Sequence, residues 1–221
     1  MSDPDRPPAP SRLDHVAHPW HGISPGDDVP HRLLTYIEMV PMDTVKYELD
    51  KHTGHLRIDR PQRYSALCPT LYGFVPRTLC AELVAEFAAS RTGRSHIVGD
   101  GDPLDVCVLA ERPITRGGIL VTARPIGGLR MFDNDQADDK IVAVLEGDSV
   151  FGGFGELSEC PERLVDRLRH YFLSYKDMPD SADRKTEITD LYDADEALEV
   201  IRRSLEDYRR RFGDAARESR R

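Results

Sequence analysis

Three aspartates fall within six residues, Asp100-Gly101-Asp102-Pro103-Leu104-Asp105, and a strand-like apolar run, Val106 to Ala110, follows at once. No other feature restricts the chain as much. The Gly and the Pro bend the backbone so that three carboxylates face one small volume. Like charges so close repel strongly unless cations neutralise them. Carboxylate oxygens suit hard ions such as Mg²⁺, which usually keeps water and phosphate ligands as well. The turn therefore suggests metal-assisted chemistry on a phosphate. A calcium-binding helix-loop-helix is a poor alternative. Glu111 does fall twelfth from Asp100, but the sixth position, which must be Gly, is Asp105, and a strand rather than a helix follows.

A second acidic segment runs Asp133-Asn134-Asp135-Gln136-Ala137-Asp138-Asp139-Lys140, between two strand-like stretches. Charge runs are usually solvated loops, so this one gains meaning only beside the first. Glu38 and Glu48 add two carboxylates in mid-strand positions, where β-propensity disfavours them. Lys46, Arg60, Tyr72, Lys140, Tyr175 and Lys176 recur at element ends. Taken singly each is more often a surface or core residue, but together they are what a phosphate site needs. Arg offers a planar fork, Lys a point charge and Tyr a hydrogen bond.

The 221 residues suffice for one domain with extensions, and a formal net charge of −9 argues against a nucleic-acid sheath held by bulk charge. Met1 to Pro10 is polar and Pro-rich, without the apolar stretch of a signal peptide, and no window approaches a membrane span. Cys68, Cys80, Cys107 and Cys160 are scattered with no C-x-x-C pair, which favours reduced thiols in a cytoplasmic protein over a zinc site.

Residues 1–30 read as a flexible arm, with His15, His18, His21 and His31 expected in solvent. Residues 31–221 read as a single domain with a helical insertion near 77–98. Strands are expected at Leu34–Val40, Val45–Leu49, His55–Asp59, Val106–Ala110, Ile119–Arg124 and Ile141–Leu145. A short helix is expected over Leu79–Ala88, with longer ones from Pro161 to about Tyr175 and from Asp195 to Phe212. The fold class is α+β: a small closed or partly closed OB-like β-barrel with two packed C-terminal helices.

Taken in order, Tyr36-Ile37-Glu38, Val45 to Asp50, Asp59-Arg60, Tyr72-Gly73-Phe74, Asp100 to Asp105, Asp133 to Lys140 and His170 to Asp177 resemble family I (soluble) inorganic pyrophosphatase. The resemblance covers roughly Leu33 to Asp177. It implies hydrolysis of inorganic diphosphate to two phosphates by direct attack of a metal-activated hydroxide, with several Mg²⁺ ions per site and Mn²⁺ or Zn²⁺ as substitutes. It places Asp100, Asp105 and Asp138 on the first activating ion, with Asp105 shared with a second. Asp133 and Asp138 take a substrate-associated ion, and Glu38 with Glu48 a further one. Lys46, Arg60, Tyr72, Lys140, Tyr175 and Lys176 grip the two phosphates. Asp102 corresponds to the general base, with Asp138 the second choice.

The chain departs from the family where a Tyr is common, at Cys68, and where a Glu is common, at Asn134. It is also longer between Pro76 and Gly99 and at both ends. Those departures keep two other readings open: a non-catalytic metal and phosphate binder, or a hydrolase of polyphosphate or an organic diphosphate. The resemblance also implies a homo-oligomer.

Overall fold

The computed structural model describes residues 17–176 and 186–213. Ten strands and three helices follow one another as β1 (Leu33–Met39), β2 (Val45–Leu49), β3 (Leu56–Pro61), β4 (Leu71–Phe74), α1 (Glu82–Thr92), β5 (Val98–Gly99), β6 (Asp105–Leu109), β7 (Ile119–Asp133), β8 (Gln136–Ala137), β9 (Lys140–Leu145), α2 (Glu162–Ser174), β10 (Thr186–Asp193) and α3 (Ala194–Phe212). Pairing runs β1–β4–β6–β9–β7, and β7 returns to β1, so five strands close into a ring. Four of those pairings are antiparallel and β6–β9 is parallel. The ring is uneven, because the far half of β7 runs on beyond it to pair with β10 and β8. This is the expected α+β architecture, with the C-terminal helices packed on the sheet.

Strands β6 and β9 are apolar on both faces because both faces are covered. Val106, Val108, Ile141 and Ala143 join one buried layer with Ala197, Val200 and Ile201 of α3. Cys107, Leu109, Val142 and Val144 face the other way, onto Val165, Leu168 and Phe172 of α2. The strands β2 and β3 form a separate two-stranded hairpin.

The short strands β4, β5 and β8 are not among those expected, and three longer elements also differ from expectation. Strand β7 continues nine residues past Arg124, through Pro125, Gly127 and Gly128. The two glycines let β10 cross closely: a Cβ on Gly127 (φ 155°) would lie 2.3 Å from the Tyr192 carbonyl oxygen, and one on Gly128 2.5 Å from the Tyr192 ring. Strand β10 itself, TEITDLYD, is too polar to show as a strand in sequence. Helix α1 starts at Glu82 rather than Leu79, because its cap comes from elsewhere. The Asp207 carboxylate of α3 accepts the backbone N–H groups of Ala81, Leu83 and Val84 at 3.1–3.2 Å. Those are the orphan donors of a helix N-terminus, and no side chain of α1's own supplies the cap.

The described part of the N-terminal segment, residues 17–30, lies against this body. Trp20 is buried among Leu49, Phe74, Leu79 and Tyr208, and its indole N–H donates to the Thr78 carbonyl at 2.8 Å. His21, partly buried, stacks on Trp20, and its Nδ1 lies 2.7 Å from the Tyr208 hydroxyl. His31 is exposed, while His15 and Asp177 lie outside the described residues.

Candidate active site

The acidic turn is clamped from behind by the segment that enters α1. Cys80 N donates to Asp102 O at 2.8 Å, Gly101 N to Cys80 O at 3.0 Å, and Leu104 N to the Thr78 hydroxyl at 2.9 Å. Gly101 turns the chain at φ 76°, a left-handed conformation that glycine adopts without strain. Within the turn Asp102 N donates to Asp100 Oδ1 at 2.9 Å, which orients two of the three acids relative to each other.

The parallel pairing of β6 and β9 then sets Asp105 directly beside Lys140. Lys140 Nζ, almost fully buried, contacts both Asp105 and Asp138. The Tyr72 hydroxyl, brought alongside by β4, donates to Asp105 Oδ2 at 2.6 Å. Asp133 closes the end of β7, and Lys176, just past α2, reaches its Oδ2 at 2.5 Å. These side chains, with Asp100, Asp102, Lys46 and Tyr175, line a cavity of about 200 Å³.

A smaller cavity of about 70 Å³ adjoins it, sharing Lys46, Tyr72, Asp102 and Asp105, and adding Glu38, Glu48 and Lys51. Lys46 lies 3.6 Å from Glu48 and 3.2 Å from Asp59. Glu38 accepts the Leu49 N–H at 2.7 Å. Arg60 does not line either cavity. Its guanidinium stands 5.6 Å from the centre of the Tyr175 ring, and its Nη1 is buried without a hydrogen-bond partner. A larger groove of about 730 Å³, between residues 64–69 and α2, holds none of the predicted site residues and meets the acidic cavity only at Tyr171.

Burial shapes the ionisation of this cluster. Desolvation, reinforced by Asp105, pushes Glu38 up to about 8. Desolvation and the neighbouring Asp138 push Asp100 up to about 8 as well. Desolvation raises Asp138 despite Lys140. Lys140 is held well above its ordinary value: burial alone would lower it, but Asp105 and Asp138 outweigh that. Carboxylates with raised values are those that gain most when a cation arrives.

Whether a hard divalent ion fits can be judged from the donors. Asp105 and Asp138 already converge on one cation, the Lys140 ammonium. Among the described residues no group of three or more His, Cys, Asp or Glu side chains is arranged so that it could hold a metal ion. Mg²⁺ does not demand one, since it is typically held by one or two carboxylates with waters and phosphate oxygens completing the shell. The donor chemistry of a carboxylate pair fits, and the Lys46, Lys140 and Lys176 ammonium groups of the main cavity fit a phosphate.

Four residues near the site escaped the sequence reading. Asp59 pairs with Lys46, Lys51 contacts Asp102, Gln136 lines the main cavity, and Arg63 donates to the Lys176 carbonyl at 2.7 Å. Asp59 belongs to the stretch Asp59-Arg60, where the resemblance gives it no role, and Lys51 adjoins Val45–Asp50, which is the available signal.

The ring of strands and the turns beside it gather acids and ammonium groups around one small cavity and its neighbour, an arrangement of the hydrolytic-enzyme class rather than of a plain structural barrel. The inorganic pyrophosphatase family model matches residues 35–209. This chain belongs to the inorganic pyrophosphatase family. It is 51% identical over 197 residues to an inorganic pyrophosphatase of Chlamydia trachomatis serovar D, covering 87% of this chain and 94% of that protein. A soluble inorganic pyrophosphatase 2 of Chlamydomonas reinhardtii is 35% identical, covering 89% and 91%. The crystal structure of the Thermus thermophilus inorganic pyrophosphatase superposes with a TM-score of 0.72 at 28% identity, covering 86% of this chain and 99% of that one.

Proposed function

We propose that this enzyme hydrolyses inorganic diphosphate to two phosphates with the help of Mg²⁺, Mn²⁺ or Zn²⁺ serving as substitutes. The observation that carries the reading is the buried Lys140 ammonium shared by Asp105 and Asp138, in a cavity edged by further lysines and acids. A cavity of about 200 Å³ matches a small inorganic anion better than one bearing an organic group.

Asp100, Asp105 and Asp138 are the residues that would hold a first Mg²⁺, Asp133 with Asp138 another, and Glu38 with Glu48 a further one. Bound there, the ions supply positive charge for the phosphate oxygens and make water more acidic. Lys46, Lys140, Lys176, Arg60, Tyr72 and Tyr175 orient the two phosphoryl groups and offset charge on the leaving phosphate. Asp102, less enclosed than Asp138, accepts the proton of the attacking water, with Asp138 the alternative acceptor. No covalent intermediate is needed.

Free, buried thiols at Cys68, Cys80, Cys107 and Cys160 suit a cytoplasmic setting, and no helix among the described residues is long and apolar enough to cross a membrane. A homo-oligomer is the proposed assembly, with residues 31–221 as one domain.

The test is phosphate release from diphosphate by the purified protein with Mg²⁺, compared with nucleoside triphosphates and polyphosphate. Diphosphate should be strongly preferred, and Asp102→Asn should remove most turnover, on the order of 10²–10⁴-fold. Binding of diphosphate without release of phosphate would instead support a non-catalytic binder. Preference for polyphosphate would support the longer-chain hydrolase.

A further inference from the structure

We propose that Lys51 is a positioning residue for the reaction, fixing the Asp102 carboxylate at the boundary between the two cavities. This rests on the diphosphatase reading, which gives Asp102 its role. Lys51 lies in the turn of the β2–β3 hairpin, and its Nζ donates to Asp102 Oδ1. Among the described residues it is the cation in contact with that carboxylate. Asp102 lines both cavities, whereas Lys51 lines only the smaller one, beside Glu38 and Glu48.

A lysine on a surface turn usually swings freely, at the entropy cost that makes exposed ion pairs weak. Here the turn is fixed twice over. Inside it, Asp50 Oδ1 accepts Thr53 N at 2.8 Å, Thr53 Oγ1 at 2.9 Å and His52 N at 3.1 Å. Behind it, His18 Nε2 lies 3.2 Å from the Lys51 carbonyl oxygen. The His18 ring also sits so close to Gly54 that a Cβ there would lie 2.9 Å from it. The backbone of Lys51 is therefore held while its ammonium reaches Asp102.

The partner is equally prepared. The Asp102 backbone is tied at both ends, its N–H to Asp100 and its carbonyl to Cys80. What remains free is the direction of the carboxylate, and Lys51 sets it. Lys51 and Asp102 are 43% and 44% exposed, so the pair remains open to exchange with entering ions and adds little to the stability of the fold. That separates it from the buried Lys140 pair and makes Lys51→Met a clean perturbation.

The experiment is a cycle of wild type, Lys51→Met, Asp102→Asn and the double variant, assayed on diphosphate with Mg²⁺. The NMR resonance of the Asp102 carboxyl carbon is followed in parallel. Lys51→Met should lower kcat about tenfold, a typical cost of a misplaced catalytic group, with KM changed less than about twofold. Lys51→Arg should recover most of the loss. In the Asp102→Asn background the Lys51 substitution should cost nothing further, since its route of action is gone. The Asp102 carboxyl resonance should shift in Lys51→Met, since the direction and partner of the carboxylate change while both backbones stay held. An equal loss in both backgrounds, a change in KM alone, or an unaltered kcat would each overturn the proposal. A wild-type protein inactive on diphosphate would refute the diphosphatase reading by itself. An Asp102 carboxyl resonance unchanged by Lys51→Met would then still refute the Lys51–Asp102 tie.

Discussion

Asp207 lies on the last helix, far along the chain from the acidic turn, yet its carboxylate holds the start of α1. It is 1% exposed and accepts N–H groups of Ala81, Leu83 and Val84. Asp207→Ala leaves three donors of a helix N-terminus without their acceptor. Loss of a cap costs roughly 0.5–2 kcal/mol, and an unpartnered buried donor about 1–3 kcal/mol. Because the first turn of α1 can fray and admit water, these costs overlap, and about 3 kcal/mol in total is expected. For a chain of this size that lowers Tm by roughly 6–12 °C. Asp207→Asn, which keeps one acceptor oxygen but no charge, should lose about half as much. The measurement is thermal unfolding by circular dichroism, with urea titration to convert midpoints into free energies. Residue 81 follows directly on Cys80, whose backbone clamps Asp102 and Gly101, so turnover at temperatures well below Tm should fall as well. A Tm within 2 °C of wild type for Asp207→Ala, on the scale just given, would refute the capping account.

Three further outcomes follow from particular contacts. Lys140→Met strands Asp105 and Asp138 in a buried site, so stability in chelator should drop by about 3–5 kcal/mol. Added Mg²⁺ should restore part of that in thermal scans, while kcat/KM on diphosphate falls about 10²-fold or more. Arg63→Ala removes the 2.7 Å bond to the Lys176 carbonyl, and steady-state kinetics should show KM for diphosphate raised about three- to tenfold, with Arg63→Lys in between. His21 has its pKa lowered below 6.5 by partial burial first, then by His18 and Arg77. A lowered folded value means its contribution is complete above about pH 6.5 and is lost as pH falls through the folded pKa. His21→Phe keeps the ring against Trp20 without the charge, and its Tm should decline less than wild type's between pH 7.5 and 5.5.

How much of the fold is legible in the sequence depends on whether the signal is local. Strands β6 and β9 were legible because burial on both faces leaves an unbroken apolar run, whatever lies beside it. The second half of β7 was not, because Pro125 and the two glycines look like an end to a strand. Their reason, the passage of Tyr192 across Gly127 and Gly128, lies more than sixty residues downstream. Asp207 shows the same limit: nothing near α1 announces that its cap comes from α3. The candidate site fell between these cases. Family resemblance groups its acids and bases, but spacing alone does not, since Asp105 meets Lys140 across a parallel pairing and Lys51 reaches Asp102 from the turn of a separate hairpin. One physical signal did exist. Asp105 and Lys140 each stand at the head of an apolar run, Val106-Cys107-Val108-Leu109 and Ile141-Val142-Ala143-Val144-Leu145. Two charged residues that open two fully buried strands must both lie at the rim of the core. If the strands are parallel neighbours in register, as β6 and β9 are, opposite charges at that rim are forced together. The parallel pairing therefore does more than close the ring, because it sets a lysine among carboxylates at the place where a charged anion would enter.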